Sequence, residues 1–148
     1  MPEELQRFHD AQQGKILGLP SFAQALSEIK SGRKTSHWIW YILPQLKELG
    51  LSAYAKKYGI RDFQEACNYL EDPLLFENYY SIVQELSRQL QLHSTISLMG
   101  SSIDAMKLVS SLSLFQEAAY FLEQKENKPP FNYQALYETC QKTLINAS

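Results

Sequence analysis

The sequence predicts an all-α protein: a single compact multi-helix domain over residues 1–148, an orthogonal or irregular bundle of about seven or eight helices. Three observations carry that prediction. Apolar residues recur at three- and four-residue spacing, and period-two alternation is nowhere sustained. Residues suited to helix caps (Ser, Asp or Asn before an apolar run) open one segment after another. Gly and Pro punctuate the segments and leave mostly short connections, as in one bundle.

In chain order, "LQRFHDAQ" places Leu5, Phe8 and Gln12 on one helix face. "PSFAQALSEIKSG" has Ser21 as cap, Gln24 three residues on as in a capping box, and Gly32 as stop. Phe22, Ala25, Leu26 and Ile29 form its apolar stripe. "HWIWYIL" is a short helix that turns at Pro44, because proline removes a backbone hydrogen bond. "SAYAKKYG" is another short helix, ended by Gly59. "DFQEACNYLED" starts at a capping Asp62 with Glu65 three residues later, and Pro73 ends it or opens the next helix. "PLLFENYYSIVQELSRQLQL" buries Leu75, Tyr79, Ile82, Val83 and Leu86. "STISLMG" is a brief helical turn or loop. Ser101 caps the long helix "SSIDAMKLVSSLSLFQEAAYFLEQ". After the loop "ENKPP", Asn132 caps the last helix, "NYQALYETCQKTLI".

Composition bounds the function. A chain of 148 residues with 45% hydrophobic residues can close one core without staples. The net charge of -2 argues against nucleic acid as a general partner. The basic runs "GRK" and "AKKYG" are short, and the second reads as solvated lysines. Cys67 and Cys140 have no CxxC spacing and no nearby His, which points to reduced thiols and neither a zinc site nor a disulfide framework. "MPEELQRFHD" lacks the basic and apolar regions of a signal peptide, and no apolar run approaches the roughly 18 residues of a membrane span. The expected location is therefore the cytoplasm, with no membrane partner. His9, His37 and His93 fall in no HxxxH or HExxH pattern, so no metal site is expected. The spacings of a P-loop and of a nucleophile elbow are absent.

Two segments stand apart. "GRKTSHWIWYILPQL" crowds two Trp, one Tyr, two Ile and two Leu into ten residues around His37 and Gln45. On a helix extending back to Arg33, the residues Arg33, His37, Trp40 and Pro44 share a stripe, with Trp38, Ile42 and Gln45 beside it. A buried His or Gln needs partners, since an unpaired polar group costs about 1–3 kcal/mol. His37 either bonds a backbone carbonyl or lines a pocket. In "GSSIDAMKLVSSLSLF", Asp104, Lys107 and Ser111 share a helix face. An exposed Asp–Lys pair is ordinary, but Ser110, Ser111 and Ser113 amid apolar residues face either the helix backbone or a polar cavity. The Gly100–Ser101–Ser102 turn opens a helix whose free N–H groups suit a phosphate or carboxylate.

"GRKTSHWIWYILPQLKELGLSAYAKKYGI", "EACNYLEDPLL" and "MGSSIDAMKLVSSLSLF" together resemble the small helical family catalogued as domain of unknown function 1810. The resemblance runs from "RFHDAQ" to about Phe121, and its Ser-His-Trp-x-Trp block is specific. It implies a mainly helical single domain and no established activity. The polar residues it singles out are Arg33, Lys34, His37, Gln45, Asp104, Lys107 and Ser111. They come from two separate segments, which points to a shared pocket. Three departures stand out: Asp72 replaces a His before proline, Asn78 stands where an Arg is expected, and "CQKTLINAS" only faintly echoes the family's C-terminal ending.

The expectation is a cleft between the two segments. Arg33, Lys34 and Lys107 supply positive charge, Trp38 or Trp40 a stacking surface, and Gln45, Ser101 and Ser111 polar contacts. His37 and Asp104 are the candidate proton carriers. Asp104 and Lys107 pair when the cleft is empty. The ligand class that suits these groups is an anionic, ring-containing small molecule such as a nucleotide or an ADP-ribose-like compound, with hydrolase or transferase chemistry as the enzymatic reading. The alternative is a non-catalytic protein-interaction module.

Overall fold

The caps and stripes fold locally as the sequence indicates. The structure is a computed structural model and describes residues 3–147. Among the described residues, nine α-helices follow in order: α1 (Glu3–Gln12), α2 (Phe22–Lys30), α3 (Ile39–Ile42), α4 (Ala53–Tyr58), α5 (Phe63–Glu71), α6 (Pro73–Gln89), α7 (Thr95–Met99), α8 (Ser102–Glu123) and α9 (Tyr133–Ala147). A single 3-10 turn, Lys47–Leu49, precedes α4. The ninth helix is α7, five residues long, which the sequence leaves as a brief helical turn or loop. Elements of one turn or so have too few positions to show a helical period.

Side-chain caps start most of these helices. Ser21, Ser52 and Ser94 accept from backbone N–H groups three residues on. Asp62, Ser101 and Asn132 do the same for α5, α8 and α9. Each satisfies an orphan donor, worth about 1 kcal/mol. Asp72 closes α5 and caps α6, with Pro73 in the first turn where its missing N–H costs nothing. α5 and α6 therefore join through the single residue Asp72. Gly100 ends α7 at φ +87°, a conformation that favours glycine, and a Cβ there would sit 3.1 Å from the Lys34 carbonyl.

The only pairing of strand type among the described residues is an isolated parallel bridge, Leu46 to Ile60. Lys47 N donates to Ile60 O at 2.8 Å, and Ile60 N donates to Gln45 O at 2.9 Å. Gly59 permits this approach: a Cβ there would lie 2.4 Å from Lys47 Cα. The bridge pins the chain after Pro44 to the end of α4.

All nine helices contribute to one hydrophobic core. Tyr69, Phe115 and Tyr79 pack as tilted rings within it, with ring centroids 5.0 and 4.5 Å apart along that series. The buried face predicted for α6 is found: Leu75, Tyr79, Ile82, Val83 and Leu86 are all buried. Most polar groups inside are partnered, with Arg7 Nε and Trp40 Nε1 the exceptions among the described residues. Gln12 donates to Tyr41 O and to Tyr69 Oη, and accepts from Asn78. Cys67 and Cys140 are free, buried thiols. Burial, aided by the Glu71 charge, pushes Cys67 up to about 11, and burial pushes Cys140 up to about 12. No helix among the described residues is long and apolar enough to cross a membrane. Nor do three or more metal-ligating side chains gather among them.

One local expectation is overturned. The aromatic segment is helical only from Ile39 to Ile42, so Arg33 and His37 do not continue a stripe with Trp40 and Pro44. The residues before it have other backbone partners. Lys34 N donates to Leu98 O at 2.7 Å, and the next two amides go to a side chain on α2.

Candidate functional site

That side chain is Glu28. Its Oε1 accepts from Thr35 N at 2.8 Å, Ser36 N at 3.0 Å and the Trp38 indole Nε1 at 2.9 Å. Its Oε2 accepts from Gln24 Nε2 at 3.1 Å and from the Ser36 hydroxyl. Burial opposes the charge, yet these donors outweigh it and hold the Glu28 carboxyl down at about 2. One carboxylate thus fixes the loop from Gly32 to Trp38 as a rigid wall. Nothing in the sequence around Glu28 sets it apart from a solvated helix acid. The sole signal is indirect: a buried Trp38 needs an acceptor for its N–H.

The wall faces the N-terminus of α8 across an open groove of about 440 Å³. Arg33, Lys34 and His37 line one side, and Gly100, Ser101 and Asp104 the other. Lys34 is buried, and its Nζ lies 2.7 Å from Asp104 Oδ2 and 5.1 Å from the Trp38 ring centre. This pair ties the loop to α8 at the groove floor. Arg33 and His37 are exposed, and neither makes a side-chain hydrogen bond or ion pair among the described residues. The groove thus carries two fixed cations against one carboxylate, a net positive balance before His37 is counted.

The expected Asp104–Lys107 pair does not form. Asp104 takes Lys34 as its partner, and Lys107 places Nζ 5.2 Å from the Trp40 ring centre. Two crossed contacts therefore join the segments where a single helix-face pair was expected. A pair on one helix face would leave both groups wetter, whereas Lys34 approaches from across the groove. Lys107, Trp40 and Gln45 line a second, much smaller crevice beside the groove. Trp40 lines the crevice and not the groove, with its ring centre 6.5 Å from that of His37 and 5.0 Å from that of Tyr54.

Two further expectations are corrected. Trp38 is 0% exposed, so it offers no stacking surface and acts as a structural anchor for Glu28. Trp40 is half-buried and lines the smaller crevice, its ring beside that of the groove residue His37. Ser111 is also 0% exposed: its hydroxyl pairs with the Tyr79 hydroxyl at 2.9 Å in the α6–α8 interface. Ser111 keeps the face of Asp104 but lies about 10 Å further along α8, where that face packs on α6. Ser101 does line the groove, but its side chain is engaged in capping α8. Neither His37–Asp104 nor His37–Lys107 is joined by a hydrogen bond among the described residues. The candidate proton carriers share a groove without forming a relay.

The departures at Asp72 and Asn78 touch neither space. Asp72 Oδ2 pairs with His9 Nε2 at 2.9 Å while capping α6. Asn78 joins α6 to α1 through Gln12. Both fasten the α1–α5–α6 joint. The C-terminal departure ends α9, where Thr95 donates to the Ala147 carbonyl.

No curated protein matches the chain. Among solved structures it is similar to the crystal structure of the conserved hypothetical protein Rv1873 from Mycobacterium tuberculosis, with 29% identity and a TM-score of 0.77. The likeness covers 98% of this chain and 87% of that one. A family model described as protein of unknown function (DUF1810) matches residues 2–139, including both walls of the groove, and the chain belongs to that family.

Proposed function

We propose that the protein binds an anionic, ring-containing small molecule in the groove, of nucleotide or ADP-ribose-like chemistry. The observation that supports this most is the pairing of Arg33 and His37. Both stand exposed, with no side-chain hydrogen bond or ion pair among the described residues, beside the fixed Lys34–Asp104 pair. A guanidinium with no carboxylate partner suits a phosphate or carboxylate, which it meets with two parallel hydrogen bonds. The positive end of the 22-residue α8 favours negative charge in the same place. A volume of about 440 Å³ falls within the range of small-molecule sites. Trp40 beside His37 supplies an aromatic edge for a ring. In a hydrolase or transferase reading, His37 moves the proton. Asp104, paired with Lys34, holds that lysine in place. A cytosolic setting fits the two buried reduced thiols.

A thermal-shift screen with inorganic phosphate, AMP and ADP-ribose tests the binding. A ligand should raise the melting temperature. Arg33→Ala and His37→Ala should keep the ligand-free value and lose the rise. If no compound raises it, or if either substitution destabilises the free protein by several degrees, the binding reading fails.

A separate observation supports the alternative, an interaction module. The outer face of α8 exposes Ile103, Met106 and Val109, and with Ile96 and Ala147 it borders an apolar hollow of about 460 Å³. An uncharged exposed patch of this kind often marks a protein contact. Light scattering across a concentration series, repeated with Met106→Lys, tests it: concentration-dependent association that the lysine abolishes favours this reading.

A further inference from the structure

The loop that leads into α4 carries an exposed apolar tip. Leu51 is 89% exposed, Leu49 56% and Tyr54 45%. One exposed leucine is ordinary, but these three share one small region. Gly50, between the two leucines, packs on Ala55, the neighbour of Tyr54 in α4: a Cβ on Gly50 would lie 2.3 Å from Ala55 Cβ. The loop is also pinned. Gly50 N donates to Lys47 O at 3.2 Å, and Lys47 N donates to Ile60 O at 2.8 Å. The chain from Lys47 to Gly50 thus runs alongside α4 and presents its leucines from a fixed backbone. Cations stand behind the tip. Lys47 packs on Gly59 at the far end of α4, and Lys56 and Lys57 occupy the last turn of that helix. All three lysines are exposed, and none has an acidic partner among the described residues. Glu48 is the one acid between Lys47 and Tyr58.

An apolar tip backed by lysines within one helical turn has the charge and polarity profile of an anionic bilayer surface. There, leucines enter the acyl boundary while ammonium groups meet the lipid phosphates. An acidic protein surface would satisfy the lysines, but Leu51 protrudes and needs an apolar layer to enter. We propose that this loop is a peripheral docking site for anionic membranes, which seats Leu49, Leu51 and Tyr54 in the interface and holds lipid phosphates with Lys47, Lys56 and Lys57. The contact is weak and reversible, as expected for a few inserted side chains. It departs from the expectation of no membrane partner, which rests on the length of apolar runs. The absence of a spanning helix among the described residues does not bear on a surface contact. This surface does not depend on what the groove binds, since none of its residues lines the groove.

The test is sedimentation with vesicles of equal parts phosphatidylcholine and phosphatidylglycerol. The protein should sediment with these and not with phosphatidylcholine alone. Leu51→Asp should weaken binding about tenfold or more, the expected effect of keeping one leucine out of the apolar layer. Lys56→Gln with Lys57→Gln should weaken it about thirtyfold, and added salt should act in the same direction. Both variants should keep the circular dichroism spectrum and melting temperature of the parent, because the altered side chains are exposed. Arg33→Ala should leave vesicle binding unchanged. The inference is overturned if the protein ignores anionic vesicles, or if either the leucine or the lysine variant binds them as before. It is equally overturned if Arg33→Ala loses binding, which would put the headgroup in the groove. Binding to soluble polyglutamate in place of vesicles would also overturn it and make the surface a contact for an acidic protein.

Discussion

Replacing Glu28 by Gln or Ala should loosen the wall of the groove, and the magnitude follows from its five donors. Trp38 is fully buried, so loss of its acceptor strands an indole N–H at a cost of about 1–3 kcal/mol. Thr35 is exposed and Ser36 half-buried, so their amides recover water and contribute less, about 0.5–1 kcal/mol together. Glu28→Ala should therefore cost about 3 kcal/mol. Glu28→Gln keeps one carbonyl oxygen for the indole and should cost about 1–2 kcal/mol. The charge dependence gives an independent handle. The carboxyl sits at about 2 in the folded protein, against an ordinary value of 4.5. A depressed carboxyl stabilises the fold at pH above the unfolded value and loses that contribution as pH falls through the folded one. Linkage alone would set the difference near 3 kcal/mol, but Glu28 is partly solvated, and screening reduces it to about 1–2 kcal/mol. Urea unfolding followed by circular dichroism should thus show a full deficit for Glu28→Gln at neutral pH. That deficit should shrink between pH 4.5 and pH 2. A deficit below about 0.5 kcal/mol, or one of constant size across that window, would refute the idea that this carboxylate organises the loop.

Asp104→Asn should leave the buried Lys34 ammonium without its partner and cost about 2–3 kcal/mol in urea unfolding. The double change to Lys34→Met with Asp104→Leu should recover most of that loss. Ser111→Ala should strand the buried Tyr79 hydroxyl and cost about 1–2 kcal/mol, with no effect on ligand binding in the groove, as calorimetry can check. Cys67 and Cys140 should resist a thiol reagent at about pH 8 in the native state and react only on unfolding, because burial raises both thiols to about 11 and about 12.

The sequence by itself determined the helices with caps and long apolar stripes. Asp62, Asp72, Ser101 and Asn132 act within three residues of themselves, so their role is local and legible. The buried face of α6 is equally a matter of spacing along one helix. The same sequence brings Arg33, Lys34, His37, Ser101 and Asp104 to notice, and all five line the groove. Tertiary structure decided which of them pair. Lys34 reaches Asp104 from 70 residues away in the chain, and spacing within α8, which suggests Lys107, has no bearing on that approach. It also decided which polar residues serve the core. Trp38 and Ser111 belong to packing because Glu28 and Tyr79 meet them there. A hydrogen bond between distant segments depends on how helices dock, and helix docking is set by the whole core at once, so no local pattern encodes it.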